Sequence, residues 1–171
     1  SESELIRMAW NRIQELIRLG TGAVEIKSGY GLSVEGELKM LRVIKKLKET
    51  SPIPVKATFL GAHSYPPEYR DNHSGYINLI KNEMLPVIAQ EQLADYIDVF
   101  CETGFFSKEE TIDICRAGMA YGLVPKIHAN QLHLSGGVQA GVEVGALSVQ
   151  QKSDQTGQWE SNLYQSDPSA L

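Results

Sequence analysis

A regular alternation of short apolar runs and longer amphipathic stretches constrains the fold of this sequence more than any other feature. The apolar runs have the length of buried strands, and the amphipathic stretches place apolar residues at helical spacing. The predicted strands are residues 22–27, 55–62, 96–101, 123–128 and 146–149. The predicted helices are residues 5–17, 33–50, 76–90 with Pro86 interrupting, 107–121 capped by Ser107 and Glu110, and 136–144. This alternation predicts right-handed βαβ units and a parallel sheet.

Polar side chains collect directly after the predicted strands. The segments are Lys27-Ser-Gly-Tyr30, His63-Ser-Tyr65, Glu102-Thr-Gly104 and His128-Ala-Asn-Gln131. The carboxyl ends of parallel strands share one rim, which is where a (β/α)₈ barrel builds its active site. This distribution favours a barrel over an open doubly wound sheet. About four to five βα units are present, so the α/β fold is predicted to be part of a (β/α)₈ TIM barrel.

Composition excludes several classes of partner. The chain has 171 residues, 42% of them hydrophobic, and a net charge of -5, which suits one globular domain and offers no basic surface for nucleic acid or an acidic membrane. A small-molecule substrate is the expected partner. Cys101 and Cys115 lack CxxC spacing, so we expect a reducing compartment and a buried, non-nucleophilic Cys101. Without a spanning apolar stretch or a leader-like start, the expected location is cytoplasmic.

The composition and the periodicity of the sequence change at residue 150. Residues 1–149 carry the strand and helix patterns, whereas residues 150–171 are polar, rich in turn formers and without periodicity. We therefore predict a barrel domain over 1–149 and a polar tail over 150–171. Two states of the tail are open: disorder, or packing of Trp159 and Leu163 against an apolar surface.

Three rim side chains are candidates for binding or catalysis. His128 stands at the end of an apolar run. It is either a metal ligand or a histidine that merely closes a buried strand. His63 follows two small residues and, as a neutral imidazole, is suited to donate a hydrogen bond to a carbonyl or oxyanion, or to bind metal. Tyr30 lies between two glycines, where its hydroxyl can bind a substrate carboxylate or amide, or where it is simply a turn tyrosine.

Other charged groups have less specific interpretations. Glu25 and Lys27 alternate with apolar neighbours and predict an ion pair inside the barrel, structural as readily as functional. Glu102 is either an acceptor for a ligand imidazole or a solvated strand-end carboxylate. His73, in a polar loop, and His133, near a helix start, are predicted to be solvated or capping residues and are left out of the site.

Several of these segments together resemble imidazolonepropionases of the amidohydrolase superfamily. The resemblance rests on Val24-Glu-Ile-Lys-Ser-Gly-Tyr-Gly-Leu32, Thr58-Phe-Leu-Gly-Ala-His63, Asp98-Val-Phe-Cys-Glu102, Lys126-Ile-His-Ala-Asn-Gln131, Gly136-Gly137 and Val142-Glu-Val-Gly-Ala-Leu-Ser148. It runs in order over residues 1–149. It implies a metal-dependent (β/α)₈ barrel with a small β domain, and the hydrolysis of 4-imidazolone-5-propanoate to N-formimidoyl-L-glutamate in histidine degradation.

The resemblance also implies roles for individual residues. His128 matches a ligand of zinc or iron. Tyr30 and His63 match substrate-binding positions, with His63 also catalytic because it polarises the ring carbonyl. Gln131 matches a catalytic and substrate-binding position near the attacking water, where the family carries glutamate or glutamine. An amide cannot accept a proton, so a general base, if needed, must come from elsewhere.

Parts of the family pattern are missing from this sequence. The paired HxH of the first barrel strand, a substrate-contacting arginine and the last-strand aspartate fall outside it, and Gln150 stands where the family continues with Asp-His-Leu. A reading-frame change or an incomplete gene fragment is one hypothesis for this break. Two alternatives to the hydrolase stay open: a catalytically incompetent barrel fragment that acts as a binding, structural or oligomerising module, and a hydrolase of other cyclic amides such as hydantoins or dihydropyrimidines. Because an unclosed parallel sheet exposes strand edges and apolar faces, we expect the chain to form a homo-oligomer or to be poorly soluble.

Overall fold

The computed structural model describes residues 1–152 and 159–162. Its strands are β1 Val24–Lys27, β2 Val55–Ala62, β3 Tyr96–Cys101, β4 Val124–Ala129, β5 Ser148–Lys152 and β6 Trp159–Asn162. Its α-helices are α1 Glu2–Arg18, α2 Val34–Thr50, α3 His73–Leu79, α4 Leu85–Gln90, α5 Lys108–Ala120 and α6 Gly137–Glu143. A 3₁₀ turn spans Pro67–Tyr69, and a π-helical turn, Ile80–Met84, joins α3 to α4.

The strands form one sheet in chain order, from β1 to β6. Neighbours from β1 to β5 pair in parallel, and the sheet curls into a half-barrel, so the predicted parallel sheet is confirmed. Because every parallel strand returns through a helix, the carboxyl ends of β1 to β4 meet at one rim. The rim therefore holds the polar segments that the sequence places after each strand.

The helices cover the outer face of the sheet and bury a continuous apolar core. Leu41 of α2, Phe59 of β2 and Ile97 of β3 are almost fully buried in it. A smaller cluster joins α1 to α2 through Ile13 and Leu47. The side chains that point outward from the strands thus supply the hydrophobic stabilisation, which leaves the inner face of the curled sheet free to carry charged groups.

The helix starts follow local rules that the sequence displays. The capping box of α5 is present: the backbone N–H of Glu110 donates to Oγ of Ser107, and the Glu110 carboxylate accepts from the Ser107 N–H at 2.8 Å. The predicted helix over 76–90 differs in detail. It begins earlier, at His73, and Pro86 is tolerated because it lies in the first turn of α4 after the π-helical turn.

The sheet extends beyond the predicted domain boundary. Strand β5 begins before residue 149 and ends after it, and it pairs antiparallel with β6. Part of the predicted tail is therefore strand, since backbone pairing needs no apolar periodicity. Leu163 lies outside the described residues. Across residues 1–152 and 159–162, no helix combines the length and the apolar character required to cross a membrane.

Candidate functional site

An open pocket of about 270 Å³ lies at the rim formed by the carboxyl ends of the strands. All four residues singled out in the sequence, Tyr30, His63, His128 and Gln131, line it. The other lining residues are Lys27, Ser28, Leu60 and Phe100. The four candidates lie at or just after the carboxyl ends of three strands, β1, β2 and β4, and the parallel sheet brings them together.

The loop that carries Tyr30 is held by a buried carboxylate. Glu37, in the first turn of α2, is fully buried and accepts hydrogen bonds from the backbone N–H groups of Gly29 at 2.9 Å, Gly31 at 2.7 Å and Leu32 at 3.0 Å. These three backbone N–H groups are therefore already hydrogen-bonded to Glu37. Tyr30 itself is 77% exposed, so the anchored loop presents its phenol to the pocket mouth.

Glycine is required on both sides of Tyr30. Gly29 has φ +105, and a Cβ there would lie 2.7 Å from the backbone oxygen of Leu60. A Cβ on Gly31 would lie 2.4 Å from the backbone carbon of Gly36. The loop packs directly on β2 and α2, so the two glycines permit close backbone approach as well as a turn.

His63 has a defined proton position on one ring nitrogen. Its Nδ1 lies 2.9 Å from the carbonyl oxygen of Gly29, and because a carbonyl only accepts, Nδ1 carries the proton and donates it. The ring packs edge-on against Tyr30 and Phe100, with centroids 5.2 Å and 6.0 Å away. In the neutral ring Nε2 then accepts, and donation to a substrate carbonyl requires a second proton on His63.

Beneath His128 lies a carboxylate that the sequence reasoning missed. Oδ2 of Asp98, on β3, is 2.8 Å from Nδ1 of His128 and 2.8 Å from Nζ of Lys27. Asp98 is fully buried, which opposes ionisation, but His128 and Lys27 outweigh burial and hold the pKa of its carboxyl below the usual range. Its sequence signal was an aspartate inside an otherwise apolar strand.

The ion pair predicted between Glu25 and Lys27 is present on the inner face of the sheet, at 2.8 Å. Glu25 also pairs with Lys126 and accepts a hydrogen bond from Oγ1 of Thr58 at 2.6 Å. Partial burial opposes ionisation of Glu25, yet the bonds from Lys126, Lys27 and Thr58 lower the pKa of its carboxyl to about 2. Lys27 reaches the pocket, but its charge is already shared by Glu25 and Asp98.

Glu102 fills neither of the roles considered for it. It is 1% exposed, so it is not a solvated strand end, and its carboxylate accepts from the backbone N–H groups of Thr103 at 2.7 Å and Leu132 at 2.8 Å. Its imidazole neighbour is His133, with 3.5 Å between Oε1 and Nδ1, rather than His128. Glu102 therefore fixes the loop that carries Gln131.

The residues left out of the site lie away from the pocket. His73 is the first residue of α3, not part of a loop, and its ring stacks on Tyr65 with centroids 3.7 Å apart. His133 is 65% exposed. Cys101 is fully buried, as predicted, and burial raises the pKa of its thiol, which suppresses nucleophilic reactivity.

Comparison with known proteins gives one consistent result. Imidazolonepropionase of Flavobacterium johnsoniae is 62% identical over 149 residues, which are 87% of this chain and 36% of that protein. The imidazolonepropionases of Christiangramia forsetii and Geobacillus thermodenitrificans are 55% and 47% identical over 149 residues, 87% of the chain and 36% and 35% of those proteins. The chain is homologous to a segment of the imidazolonepropionases. The predicted resemblance is thereby confirmed.

The matched segment covers most of this chain but only part of each imidazolonepropionase. The chain spans about a third of the length of the curated relatives it matches. No protein-family model matches it. The homology therefore concerns the segment that folds into the half-barrel and its rim.

One residue of the pocket fits a metal ligand. The Asp98 carboxylate contacts Nδ1 of His128, which is the usual arrangement behind a metal-bound histidine. Within the part of the chain that the structure describes, no three His, Cys, Asp or Glu side chains are grouped closely enough to hold a metal ion. Zinc sites take three or more protein ligands. His128, backed by Asp98, therefore fits one ligand of a metal site, and these residues do not make a complete site.

Proposed function

We propose that this chain supplies the substrate-binding rim of an imidazolonepropionase, a hydrolase that opens the cyclic amide of 4-imidazolone-5-propanoate to N-formimidoyl-L-glutamate. The observation that carries the proposal is the single pocket lined by Tyr30, His63, His128 and Gln131. The proposal includes a (β/α)₈ barrel, of which the curled half-barrel is one part, and a cytoplasmic location for the protein.

The pocket residues have complementary proposed roles. The exposed Tyr30 hydroxyl binds the propanoate carboxylate. A cation for that carboxylate must come from elsewhere, because Lys27 is held by Glu25 and Asp98. Neutral His63 accepts a ring N–H of the substrate at Nε2, and its doubly protonated form polarises the ring carbonyl. The Gln131 amide orients the substrate or the attacking water, since it accepts no proton.

We further propose that His128 is one ligand of a zinc or iron ion. Such an ion, when bound, supplies a water that ionises near neutral pH and a Lewis acid for the amide oxygen. The additional ligands would be contributed by residues outside those described. His128 is suited to its share because Asp98 occupies one ring nitrogen and leaves the other available.

Two assays on the chain test this proposal. The first measures hydrolysis of 4-imidazolone-5-propanoate with added zinc or iron, for the wild type, His128→Ala and, as a matched control, His133→Ala, which removes an exposed imidazole outside the pocket. Hydrolysis that is lost in His128→Ala and kept in His133→Ala supports the proposal. The same comparison with hydantoin and dihydropyrimidine substrates tests the related cyclic-amide hydrolases.

The second assay measures binding of imidazole-4-propanoate by calorimetry. Because a hydrogen bond to a charged group contributes about 1.5–3 kcal/mol, Tyr30→Phe should weaken binding about tenfold or more. Tyr121→Phe, an exposed tyrosine after α5, should leave it unchanged. Absence of both hydrolysis and binding would overturn the proposal.

A second candidate function is that of a binding or homo-oligomerising module without catalysis. The observation that favours it is the free edge of β1, which pairs only with β2 among the described strands. A parallel sheet normally has both faces and edges covered, and an open edge recruits another chain. Analytical ultracentrifugation giving a stable dimer, together with ligand binding but no hydrolysis, would favour this candidate, and a monomer at all concentrations would count against it.

A further inference from the structure

We propose that Asp98 is a positioning residue that holds His128 in the tautomer with the proton on Nδ1, and that Lys27 fixes Asp98 for this purpose. The pocket face of the imidazole then presents Nε2 as a bare lone pair. The functional value of this arrangement rests on the proposed metal site, but the tautomer itself does not.

The contact distance determines where the proton lies. Nδ1 of His128 and Oδ2 of Asp98 are 2.8 Å apart. A carboxylate oxygen only accepts, so an unprotonated Nδ1 at this distance would set two lone pairs against each other. The two atoms are not aligned as a hydrogen bond, and it is their short separation that requires the proton on Nδ1. A neutral imidazole with Nδ1–H has no proton on Nε2.

Strand register and burial shield the contact from water. The parallel pairing of β3 with β4 sets Phe100 opposite His128 and Asp98 opposite Lys126, so Asp98 lies one step below the imidazole on the inner face. Asp98 is 1% exposed. Water therefore cannot replace it as the partner of Nδ1 without opening the strand pair.

Lys27 supplies the second constraint. Its Nζ lies 2.8 Å from the same oxygen, Oδ2, and 2.8 Å from Oε1 of Glu25. Anchored on β1 by Glu25, the ammonium holds Oδ2 where the imidazole meets it. Three neighbouring strands, β1, β3 and β4, therefore combine to set the state of one ring nitrogen at the rim.

The tautomer is measurable on the chain without metal. We would record long-range ¹H–¹⁵N spectra of the imidazole rings with chelator present, at a pH where the rings are neutral, and assign His128 by its loss in His128→Gln. The wild type should show a protonated, pyrrole-type Nδ1 and a bare, pyridine-type Nε2. A pyrrole-type Nε2 in the wild type would overturn the proposal.

Two substitutions test the cause. Asp98→Leu removes the acceptor, and His128 should shift toward the Nε2–H tautomer that imidazole side chains prefer in water. Asp98→Asn keeps an oxygen acceptor and should restore the wild-type pattern. Asp95→Asn, on the same segment but bound to Lys48 and Lys56, is the matched control and should change nothing. An unchanged tautomer in folded Asp98→Leu would refute the role of Asp98.

Zinc separates this inference from the proposed function. If His128 is a ligand, added Zn²⁺ should shift its Nε2 resonance, with an affinity about 10- to 100-fold lower in Asp98→Leu, as is typical when the group behind a metal ligand is removed. An Nδ1–H tautomer that depends on Asp98, with no response to Zn²⁺, would support the positioning role and contradict the metal proposal.

Discussion

Replacing Glu37 with glutamine should loosen the loop that carries Tyr30. Oε1 of Glu37 accepts from the N–H groups of Gly31 and Leu32, and Oε2 accepts from the N–H of Gly29. A glutamine can place its oxygen at the Oε1 position and keep two of these bonds. Its NH₂ group then faces the N–H of Gly29, so one bond is lost and a buried donor is left without an acceptor.

The magnitude follows from this geometry. A hydrogen bond to a charged group contributes about 1.5–3 kcal/mol, and a neutral one about 0.5–1.5 kcal/mol. Losing one bond and weakening two, while avoiding the burial of a charge, gives a net loss of about 2–4 kcal/mol. With a urea dependence of about 2 kcal/mol per M, the unfolding midpoint should fall by about 1–2 M.

The assay compares Glu37→Gln with Glu35→Gln by urea unfolding. Glu35 is also in the first turn of α2 but is exposed, so it controls for loss of an acidic group at the helix start and should shift stability by less than about 0.5 kcal/mol. Hydrogen exchange should be faster at the amides of Gly29, Gly31 and Leu32. Equal midpoints for the two variants, with protection retained at Gly29, would refute the reasoning.

Three further predictions follow from local geometry. Gly31→Ala should destabilise the chain and weaken binding of imidazole-4-propanoate, because its Cβ would lie 2.4 Å from the backbone of Gly36; unchanged binding would contradict it. Ser107→Ala should lower the free energy of unfolding by about 1 kcal/mol through loss of the capping box with Glu110, measured by urea unfolding. The stability that the wild type gains over Glu25→Gln should be present above pH 4.5 and fade toward pH 2, because the folded-state pKa of Glu25 is depressed; a constant difference in midpoint would count against this.

The order of elements was determined by the sequence alone. The predicted strand over 55–62 and the predicted strand over 96–101 coincide with β2 and β3, and the capping box of α5 is visible as Ser107 followed by Glu110. Such features depend on residues close together in the chain, whose periodicity and capping chemistry can be interpreted without knowing the fold. The parallel sheet then placed Tyr30, His63, His128 and Gln131 at one rim.

The partners of these residues were decided only by the tertiary structure. Asp98 meets His128 across 30 residues of sequence, Glu37 reaches back to the Tyr30 loop, and Glu102 holds the Gln131 loop instead of serving His128. Each contact depends on strand register and helix packing, which no local pattern encodes. The pairing of β5 with β6 depends on backbone hydrogen bonds, which the periodicity of side chains does not predict. Sequence thus determined which groups reach the rim, and tertiary packing decided which of them are held, ionised or free to act.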